Sequence, residues 1–330
     1  MMIRLHSTLT DLVELLSNQQ FHHAIDLAQT LNISPTAVLK MIKTLTEYDI
    51  PIHHVHGKGY VLKQPLILLN FKKINQLLKD ININHIAIFE TIASTQTYLS
   101  NQPTDESSLN ICLAETQTQG RGRLNRSWYS PFGQNIYMSI SCILKKNLSQ
   151  LNGLPLVVAL SLADAIDKFC HFDMPIFTKW PNDLICNQKK LAGILVNVIP
   201  NRTFFSNIII GIGLNVNLKK ENGRNQINQS WTSLSQINPQ YYDRNLLISA
   251  IIHQLTLDMK IFQQKGWLPF ISQWRKRDYL YGKSITATTH SGSIIGKAMG
   301  VSSAGHLKIK TNTNQWLNFS VGDIELNKKN

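Results

Sequence analysis

The sequence has few cysteines and no long hydrophobic run, and these two absences exclude several classes of protein. The cysteines are spread along the chain as Cys112, Cys142, Cys170 and Cys186. No two have the spacing of a zinc knuckle or a redox pair, so we expect buried free thiols. The longest apolar stretches, Ile208–Val216 and Leu154–Ala163, are shorter than the roughly 20 residues that span a bilayer. Because no signal-peptide core is evident, a cytoplasmic protein that contacts no membrane is expected.

Acidic residues are also scarce, and the chain carries a formal net charge of +13. Residues 1–65 hold five Lys/Arg and five Asp/Glu, residues 66–263 hold 18 against 12, and residues 264–330 hold ten against three. The positive charge therefore lies in the central and C-terminal parts, where it suits phosphate-bearing ligands, an acidic partner protein or DNA. A length of 330 residues with 43% hydrophobic content indicates a globular chain of two or three domains.

The first 65 residues have the pattern of a helix-turn-helix domain. Apolar periodicity predicts helices over Leu9–Leu16, over His22–Leu31 and from Ser34 to about Tyr48. Ser34 is a good N-cap, and Pro35 follows at the first helical position, where its missing N–H is tolerated. Two helices joined by a short turn, the second with exposed polar positions, are typical of DNA-binding domains.

A wing is predicted next, because two β-prone runs flank Gly57-Lys58-Gly59. The candidate DNA contacts are exposed positions of the third helix and the wing tip: Ser34, Thr36, Ala37, Lys40, Lys43 and Lys58. A three-helix domain for dimerisation or partner docking is the alternative, and the neutral segment argues against tight DNA binding by a monomer. Six of the eleven histidines lie here, but no cysteine or carboxylate completes a metal set, so no metal site is predicted. We hypothesise that charging these histidines at mildly acidic pH strengthens DNA binding.

Residues 66–280 and 281–330 read as two further domains, which makes the chain a multidomain α+β protein. Alternating strands and helices predict a central α/β domain with a mixed sheet. The predicted strands are Ala87–Phe89, Asn110–Glu115, Asn135–Cys142, Ile176–Lys179, Leu191–Val198 and Asn207–Ile212. A short amphipathic segment, Phe71–Leu78, comes first, and the predicted helices are Gln96–Leu99, Leu154–Phe169 and Arg244–Lys265. From Gly282 onward, short strands with turn signals predict a small β-barrel.

Two motifs combine residue types that bind anions. The loop Gln117–Arg123 alternates Gly and Arg, so its backbone can approach a ligand while Arg121 and Arg123 offer forked donors to phosphate or carboxylate. Solvated arginines on a surface loop are the alternative. The second motif, Lys179-Trp-Pro-Asn-Asp183, predicts a hairpin whose second strand carries Lys190. In its apolar surroundings Lys190 needs a counter-charge or a ligand, and Asp183 can supply the charge; a purely structural ion pair is the alternative.

Two weaker motifs suggest where the rest of a ligand would lie. Ile208–Asn217 reads as a buried strand that ends in Gly211, Gly213 and Asn215, and its glycines would let a base or sugar lie against the strand. Glu90–Gln96 runs from a strand end into a helix start, where hydroxyl side chains can cap the helix and contact a ligand.

Taken together, these motifs resemble the bifunctional biotin–protein ligases, the biotin-operon repressor family. The resemblance covers nearly the whole chain, with winged helix, ligase core and C-terminal SH3-like cap in the family's order, and it includes Gly57–Tyr60 of the wing and Lys190–Val196. It implies an enzyme that forms biotinyl-5′-adenylate from biotin and ATP with Mg²⁺, and passes biotin to a lysine of the biotin carboxyl carrier protein. It also implies a ligand-linked homodimer that represses biotin synthesis genes by binding operator DNA.

The resemblance further implies a role for each matching residue. Biotin would be bound by Ser94, Thr95, Gln96, Gln117, Arg121, Gly122, Arg123, Lys190 and Gly193. The family usually has Asn where this chain has Gln96. ATP would be bound by Asn182, Gly211, Gly213, Asn215 and Trp231. Catalysis would depend on Arg121, Arg123, Lys179, Asp183 and Lys190, with Asp183 positioning the acceptor lysine, and no permanently bound metal is implied.

Three other functions are weighed against this one. A lipoate–protein ligase would share the fold and the acyl-adenylate chemistry, but it would not usually carry the winged helix. A pure transcription factor would use the ligase domain only to sense a metabolite, and the intact set of basic residues argues against it. The third alternative is a monofunctional ligase whose winged helix does not bind DNA.

Overall fold

The first domain of the computed structural model, which describes residues 8–200, 205–219, 227, 229–289 and 292–327, is a winged helix-turn-helix. Its elements are α1 (Thr8–Leu16), α2 (Ala24–Leu31), α3 (Pro35–Glu47), β1 (Ile52–Val55) and β2 (Gly59–Leu62). The Ser34 side chain accepts a hydrogen bond from the Ala37 backbone and caps α3. The predicted start of α2 was wrong by two residues, because His22 pairs instead with Tyr60 through backbone hydrogen bonds of 2.9 Å.

This domain packs closely against the rest of the chain. Phe132, which follows the Gly-Arg loop, is buried in the core of the winged helix and stacks on Tyr48 with the ring centroids 4.4 Å apart. The segment after the wing is held by a buried ion pair. Arg244 donates to the Ile67 carbonyl at 2.9 Å and pairs with Glu115 at 2.7 Å. The winged helix is therefore fixed to the strand that carries Glu115.

The central domain is built on a mixed seven-stranded sheet, as predicted. The strands are β3 (Ile83–Ile92), β4 (Leu109–Gln117), β5 (Ile136–Leu144), β6 (Phe177–Lys179), β7 (Asp183–Cys186), β8 (Lys189–Pro200) and β9 (Ser206–Leu214). The helices are α4 (Phe71–Leu77), α5 (Thr95–Ser100), α6 (Leu154–Cys170), α7 (Leu234–Ile237), α8 (Arg244–Lys265) and α9 (Ile271–Arg277). The strand order is β3-β4-β5-β9-β8-β7-β6, and only the β3–β4 pair is parallel.

The two faces of this sheet are covered differently. Along β4, Ile111 and Leu113 join the large core that contains α6 and α8, whereas Cys112 packs on the other side with Leu99 of α5. This alternation follows from the period of two residues in a strand. Because α5 is short, it covers only part of its face, and the remainder is open to a ligand.

The C-terminal domain is an antiparallel five-stranded sheet. Its strands are β10 (Ser284–Thr289), β11 (Gly292–Val301), β12 (Leu307–Thr311), β13 (Trp316–Phe319) and β14 (Asp323–Leu326). They lie in the order β13-β12-β11-β10-β14, and among the described residues no ladder joins β13 to β14. The predicted closed SH3-like barrel is therefore not confirmed, although the sheet itself is. Within the described part of the chain, no helix is both long and apolar enough to cross a membrane.

Candidate active site

A cleft opens where the free face of the central sheet meets the Gly-Arg loop and the C-terminal sheet. Most residues predicted to bind ligands line it: Ser94, Thr95, Gln96, Gln117, Arg121, Gly122, Arg123, Lys179, Asn182, Asp183, Lys190, Gly193, Gly211 and Gly213. Several other residues that line the cleft were not predicted from the sequence to bind ligands: Arg126, Trp128, Ser139, Asp323 and Glu325. Their contribution depends on packing between segments far apart in the chain, so no local pattern identifies them.

Hydroxyl and amide groups form one end of the cleft, at the start of α5. Ser94 caps this helix, and its side chain accepts a hydrogen bond from Thr97. The Thr95 hydroxyl lies 2.8 Å from that of Ser139 on β5, and the Thr95 backbone N–H donates to Oε1 of Gln117 at 2.9 Å. Gln117 thereby ties β4 to α5, so these polar groups are held in place before a ligand binds.

The side chain of Gln96 spans two strands of the sheet. Its Nε2 donates to the carbonyl oxygens of Leu195 at 3.1 Å and Ile209 at 3.4 Å. A Cβ at Gly211 would lie 2.9 Å from Gln96 Oε1. A side chain at position 211 would therefore displace the Gln96 amide, a contact that a glycine pattern alone does not predict.

The Gly-Arg loop is closed on itself by backbone contacts. The Gly122 N–H donates to the Arg126 carbonyl at 2.7 Å, and the Trp128 N–H donates to the Gly120 carbonyl at 2.9 Å. The loop directs Arg123 into the cleft, where its guanidinium lies 3.5 Å from the side-chain oxygen of Asn182. Burial lowers the pKa of Arg123, and Asp323 and Asp183 oppose this shift. An arginine stays charged in such a setting, so a cation is fixed in the cleft.

The C-terminal sheet contacts the same loop. Arg123 donates to the Gly322 carbonyl at 3.2 Å, and Arg126 forms an ion pair with Asp323. Trp180 of the central domain also donates to the Gly305 carbonyl at 3.1 Å. The C-terminal domain therefore forms one wall of the cleft and is not a separate appendage.

Trp128 lies flat over a pair of glycines. A Cβ at Gly213 would be 2.5 Å from its ring, and a Cβ at Gly193 would be 3.0 Å from it. Lys190 Nζ lies 5.5 Å from the centre of the same ring and 2.9 Å from Asp183 Oδ1. The glycines make room for an aromatic wall, and Lys190 is oriented between this wall and a carboxylate.

Lys179 belongs to the same charged group. Burial lowers its pKa, while Asp183 raises it and Lys190 lowers it further. A partly desolvated lysine with a nearby carboxylate gains most from an anionic ligand. Lys179, Lys190 and Arg123 therefore offer a cationic environment for a phosphate or carboxylate.

The strand arrangement around Lys190 differs from the prediction. The Trp-Pro-Asn turn joins β6 to β7, and Lys190 lies on β8, one strand later than expected. The predicted hairpin is therefore confirmed at this turn, but the assignment of Lys190 to its second strand was wrong, because a strand of four residues such as β7 leaves no clear pattern. Asp183 and Lys190 still meet, since β7 and β8 are adjacent.

Two residues predicted to bind ATP lie outside the cleft lining. The Asn215 side chain is buried and donates to the Thr232 carbonyl at 3.0 Å, while Trp231 forms a β-bridge with Lys190. Together they hold the backbone that flanks Lys190. Their roles in ATP binding stay predictions, as do the other individual roles. No group of three or more His, Cys, Asp or Glu residues in the described ranges could hold a metal ion.

The candidate DNA contacts lie on the surface of the winged helix. Thr36, Lys40 and Lys43 on α3 and Lys58 at the wing tip are exposed. Lys43 lies 3.9 Å from Glu47 in an exposed i,i+4 pair, which holds it weakly. These positions are therefore accessible, and their role in DNA binding stays a prediction.

The central sheet and its cationic cleft are typical of the biotin and lipoate ligase class. The winged helix adds an N-terminal domain of a DNA-binding type. Residues 88–215 match the biotin/lipoate A/B protein ligase family, and residues 8–61 match the HTH domain family. The chain is 33% identical over 299 residues to the bifunctional ligase/repressor BirA of Escherichia coli (strain K12), with 91% of each protein covered.

Two further relatives agree with this assignment. The bifunctional ligase/repressor BirA of Bacillus subtilis (strain 168) is 30% identical over 322 residues, covering 96% of this chain and 98% of that protein. The biotin protein ligase from Aquifex aeolicus, solved in complex with biotin and ATP, has a TM-score of 0.62 and 27% identity, covering 75% of this chain and 100% of that one. The chain belongs to the bifunctional ligase/repressor BirA family.

Proposed function

We propose that this protein is a biotin–protein ligase that is also a transcriptional repressor. It forms biotinyl-5′-AMP from biotin and ATP, and then transfers biotin to a lysine of the biotin carboxyl carrier protein. Bound adenylate would promote repression of biotin synthesis genes. The observation that carries the enzymatic proposal is the placement of Arg123, Lys179 and Lys190 around one cleft, beside the hydroxyl groups of Ser94 and Thr95.

The first step joins two anions, so charge neutralisation dominates its chemistry. A biotin carboxylate oxygen forms a bond to the α-phosphorus of ATP, and the bond from that phosphorus to pyrophosphate breaks. Lys190, Lys179, Arg121 and Arg123 would offset the negative charge that accumulates on the α-phosphate. Asp183 holds Lys190 in position, and Asn182 and Gly322 hold Arg123, so these two cations need little reorganisation when the ligands bind.

The biotin and ATP contacts that we propose adjoin one another in the cleft, since Gly193 pairs directly with Gly213. We place biotin at the hydroxyl end, with Ser94, Thr95, Gln96, Gln117, Gly122 and Gly193. We place ATP toward Asn182, Gly211 and Gly213, with Asn215 and Trp231 supporting that end. Mg²⁺ usually binds through one or two carboxylates and the substrate phosphates. The ion would enter bound to the ATP phosphates, and one cleft carboxylate such as Glu325 would complete its ligands while the ion shields phosphate charge.

In the second step the neutral amine of the acceptor lysine attacks the biotinyl carbonyl. A C–N bond forms, the bond from carbon to the adenylate oxygen breaks, and AMP leaves while the amine loses a proton. Asp183 is proposed to orient Lys190 and to position this amine. The mixed anhydride is labile to water, and the Gly-Arg loop together with Trp128 would cover it.

Transfer of labelled biotin to a biotin carboxyl carrier domain tests the enzymatic proposal. We expect Lys190→Ala to slow adenylate formation roughly 100- to 1,000-fold, the effect of losing one preorganised charge donor. Lys189→Ala is the matched control, because neighbouring strand residues point to opposite faces. Near-normal adenylate formation by Lys190→Ala would refute the role of this lysine. Adenylate formation by the wild type without transfer would instead support a metabolite sensor.

The regulatory part of the proposal assigns DNA contacts to Ser34, Thr36, Ala37, Lys40, Lys43 and Lys58. The protein would bind operator DNA as an adenylate-linked homodimer, since two half-sites need two heads. A cytoplasmic location and closure of the C-terminal sheet into an SH3-like barrel stay predictions. A monofunctional ligase remains the second candidate, favoured by the formal neutrality of residues 1–65.

A further inference from the structure

The C-terminal sheet has one face that the core does not cover. Residues that alternate with its buried side chains share this face, which we call the outer face. It carries Thr286, Ile295, Lys297, Lys308, Lys310, Trp316 and Glu325. Trp316 is 58% exposed and Ile295 is 56% exposed. These two apolar side chains share the face with lysines and offer contact area that a partner can cover.

The lysines of the outer face lie in positions where their like charges destabilise the sheet. Lys297 lies directly opposite Lys310, and Lys310 lies directly opposite Trp316. Like charges in directly opposed positions destabilise a sheet. Within the described ranges, none of the three lysines forms an ion pair. This cluster is best explained by an anionic partner, since a partner would offset the repulsion.

The outer face is continuous with the active-site cleft. Thr286 pairs with Ile295 on one side and with Glu325 on the other, so a single row of side chains crosses from β11 to β14. Glu325 at the end of this row lines the cleft, as does Asp323, which lies two residues before it on the same strand and pairs with Thr288. A macromolecule that inserts a side chain into the cleft from this side would therefore lie across the outer face.

We propose that the outer face docks the acceptor protein, as an acidic domain that presents its target lysine to the cleft; this inference rests on the proposed function. The charge pattern determines the kind of partner. Carboxylates at the cleft end attract the cationic lysine, while Lys297, Lys308 and Lys310 attract acidic residues farther from it. A nucleic acid in the same place would bring phosphates past Asp323 and Glu325, which favours a protein.

Charge reversal on the outer face tests the proposal. The variant is Lys297→Glu/Lys310→Glu, and the matched control is Lys72→Glu/Lys260→Glu, which reverses two exposed lysines on α4 and α8. We expect the variant to raise the KM for a biotin carboxyl carrier domain about tenfold, at the low end of electrostatic steering effects, and to reduce its dependence on salt. Adenylate formation and biotin transfer to hydroxylamine, an acceptor too small to dock, should match the wild type.

A single change separates docking from folding. Lys297→Glu creates an opposite-charge pair with Lys310, so the melting temperature should stay equal or rise while the KM for the acceptor domain still increases. If Lys297 had a structural role instead, the melting temperature would fall while the KM rises. Trp316→Ala should also raise this KM without changing hydroxylamine transfer, because an exposed aromatic contributes contact area to the complex.

The possible outcomes are distinct. An equal KM for wild type, variant and control, with an active wild type, overturns the docking surface and leaves the ligase proposal intact. Reduced affinity for DNA with an unchanged acceptor KM assigns the face to nucleic acid and also overturns it. A wild type that transfers biotin neither to the acceptor domain nor to hydroxylamine overturns the proposed function, and the docking surface with it.

Discussion

Lys179 shows how burial changes the chemistry of a single residue. Burial lowers its pKa below the ordinary lysine value, and the neighbouring Lys190 adds to the shift while Asp183 opposes it. Lys179 is therefore charged below this lowered pKa, and it loses its proton at a lower pH than an exposed lysine. If the charge of Lys179 assists adenylate formation, the rate will fall on the alkaline side as this proton is lost.

Replacement by arginine gives a direct test. Lys179→Arg keeps the positive charge at all accessible pH values, so the alkaline fall in adenylate formation should move to higher pH. The measurement is pyrophosphate exchange as a function of pH, without an acceptor protein, so that no acceptor amine titrates. Superimposable alkaline limbs in the two proteins would show that Lys179 does not set this pH dependence.

Gly213 shows a different residue-scale constraint, because its side chain position is already filled by Trp128. A Cβ there would lie 2.5 Å from the indole ring, and such overpacking typically costs about 1–3 kcal/mol. We expect Gly213→Ala to lower the free energy of unfolding by that amount and to weaken ATP binding. Gly122→Ala is the control for stability, since its nearest neighbour would be 3.7 Å away. Trp128→Leu in the Gly213→Ala background should restore part of the stability; no recovery would exclude this clash.

At the scale of elements, α8 and β4 together hold the segment that leaves the winged helix. Arg244 is fully buried and pairs with Glu115, while Asn245 donates to the Leu68 carbonyl at 3.1 Å and Glu115 accepts from the Leu69 backbone at 2.5 Å. The backbone groups of Leu68 and Leu69, which are both buried, are thus satisfied by side chains of the ligase domain.

Removing one member of this pair should be far worse than removing both charges. Arg244→Ala leaves a buried carboxylate unpaired, which typically costs about 3–5 kcal/mol. The double variant Glu115→Gln/Arg244→Met keeps an acceptor for Leu69 and removes both charges, so it should recover much of the free energy of unfolding. Urea unfolding of the two variants measures this difference. A single variant as stable as the double variant would contradict the account.

The elements also show how far a sequence can predict a fold of this kind. Helix α8 was predicted with the observed bounds, because Asp243 caps its start and Gly266 ends it. The short strand β7 and the helix α9 were not predicted, since four to seven residues hold too little periodicity. At the cleft, local motifs identified Arg123 and Lys190, but Asp323 enters only through the contact of two domains. The contact of the Trp128 ring with Gly213 likewise depends on tertiary packing.

At the scale of the whole molecule, positive charge and DNA-binding geometry lie in different places. Residues 1–65 are formally neutral, whereas residues 264–330 carry ten basic and three acidic residues. Phosphate contacts supply much of the affinity for DNA, so a single winged helix should bind it weakly. Strong binding then requires two winged helices on one DNA molecule. Once the first is bound, the second is held near its site at a high effective concentration, so the two sets of contacts add.

The adenylate is expected to control the dimerisation that brings two winged helices together. If it orders the Gly-Arg loop, and if the ordered form dimerises more tightly, ligand and DNA binding become thermodynamically linked. Sedimentation should then show a monomer–dimer equilibrium that biotinyl-5′-AMP shifts toward the dimer. The affinity for operator DNA should rise in parallel, and the DNA-binding curve should depend more steeply on protein concentration. Arg123→Gly should abolish both effects, because it removes the contact that ties the loop to Gly322, whereas Lys189→Ala should leave both intact. Dimerisation without increased operator affinity would leave a ligase whose winged helix does not bind DNA.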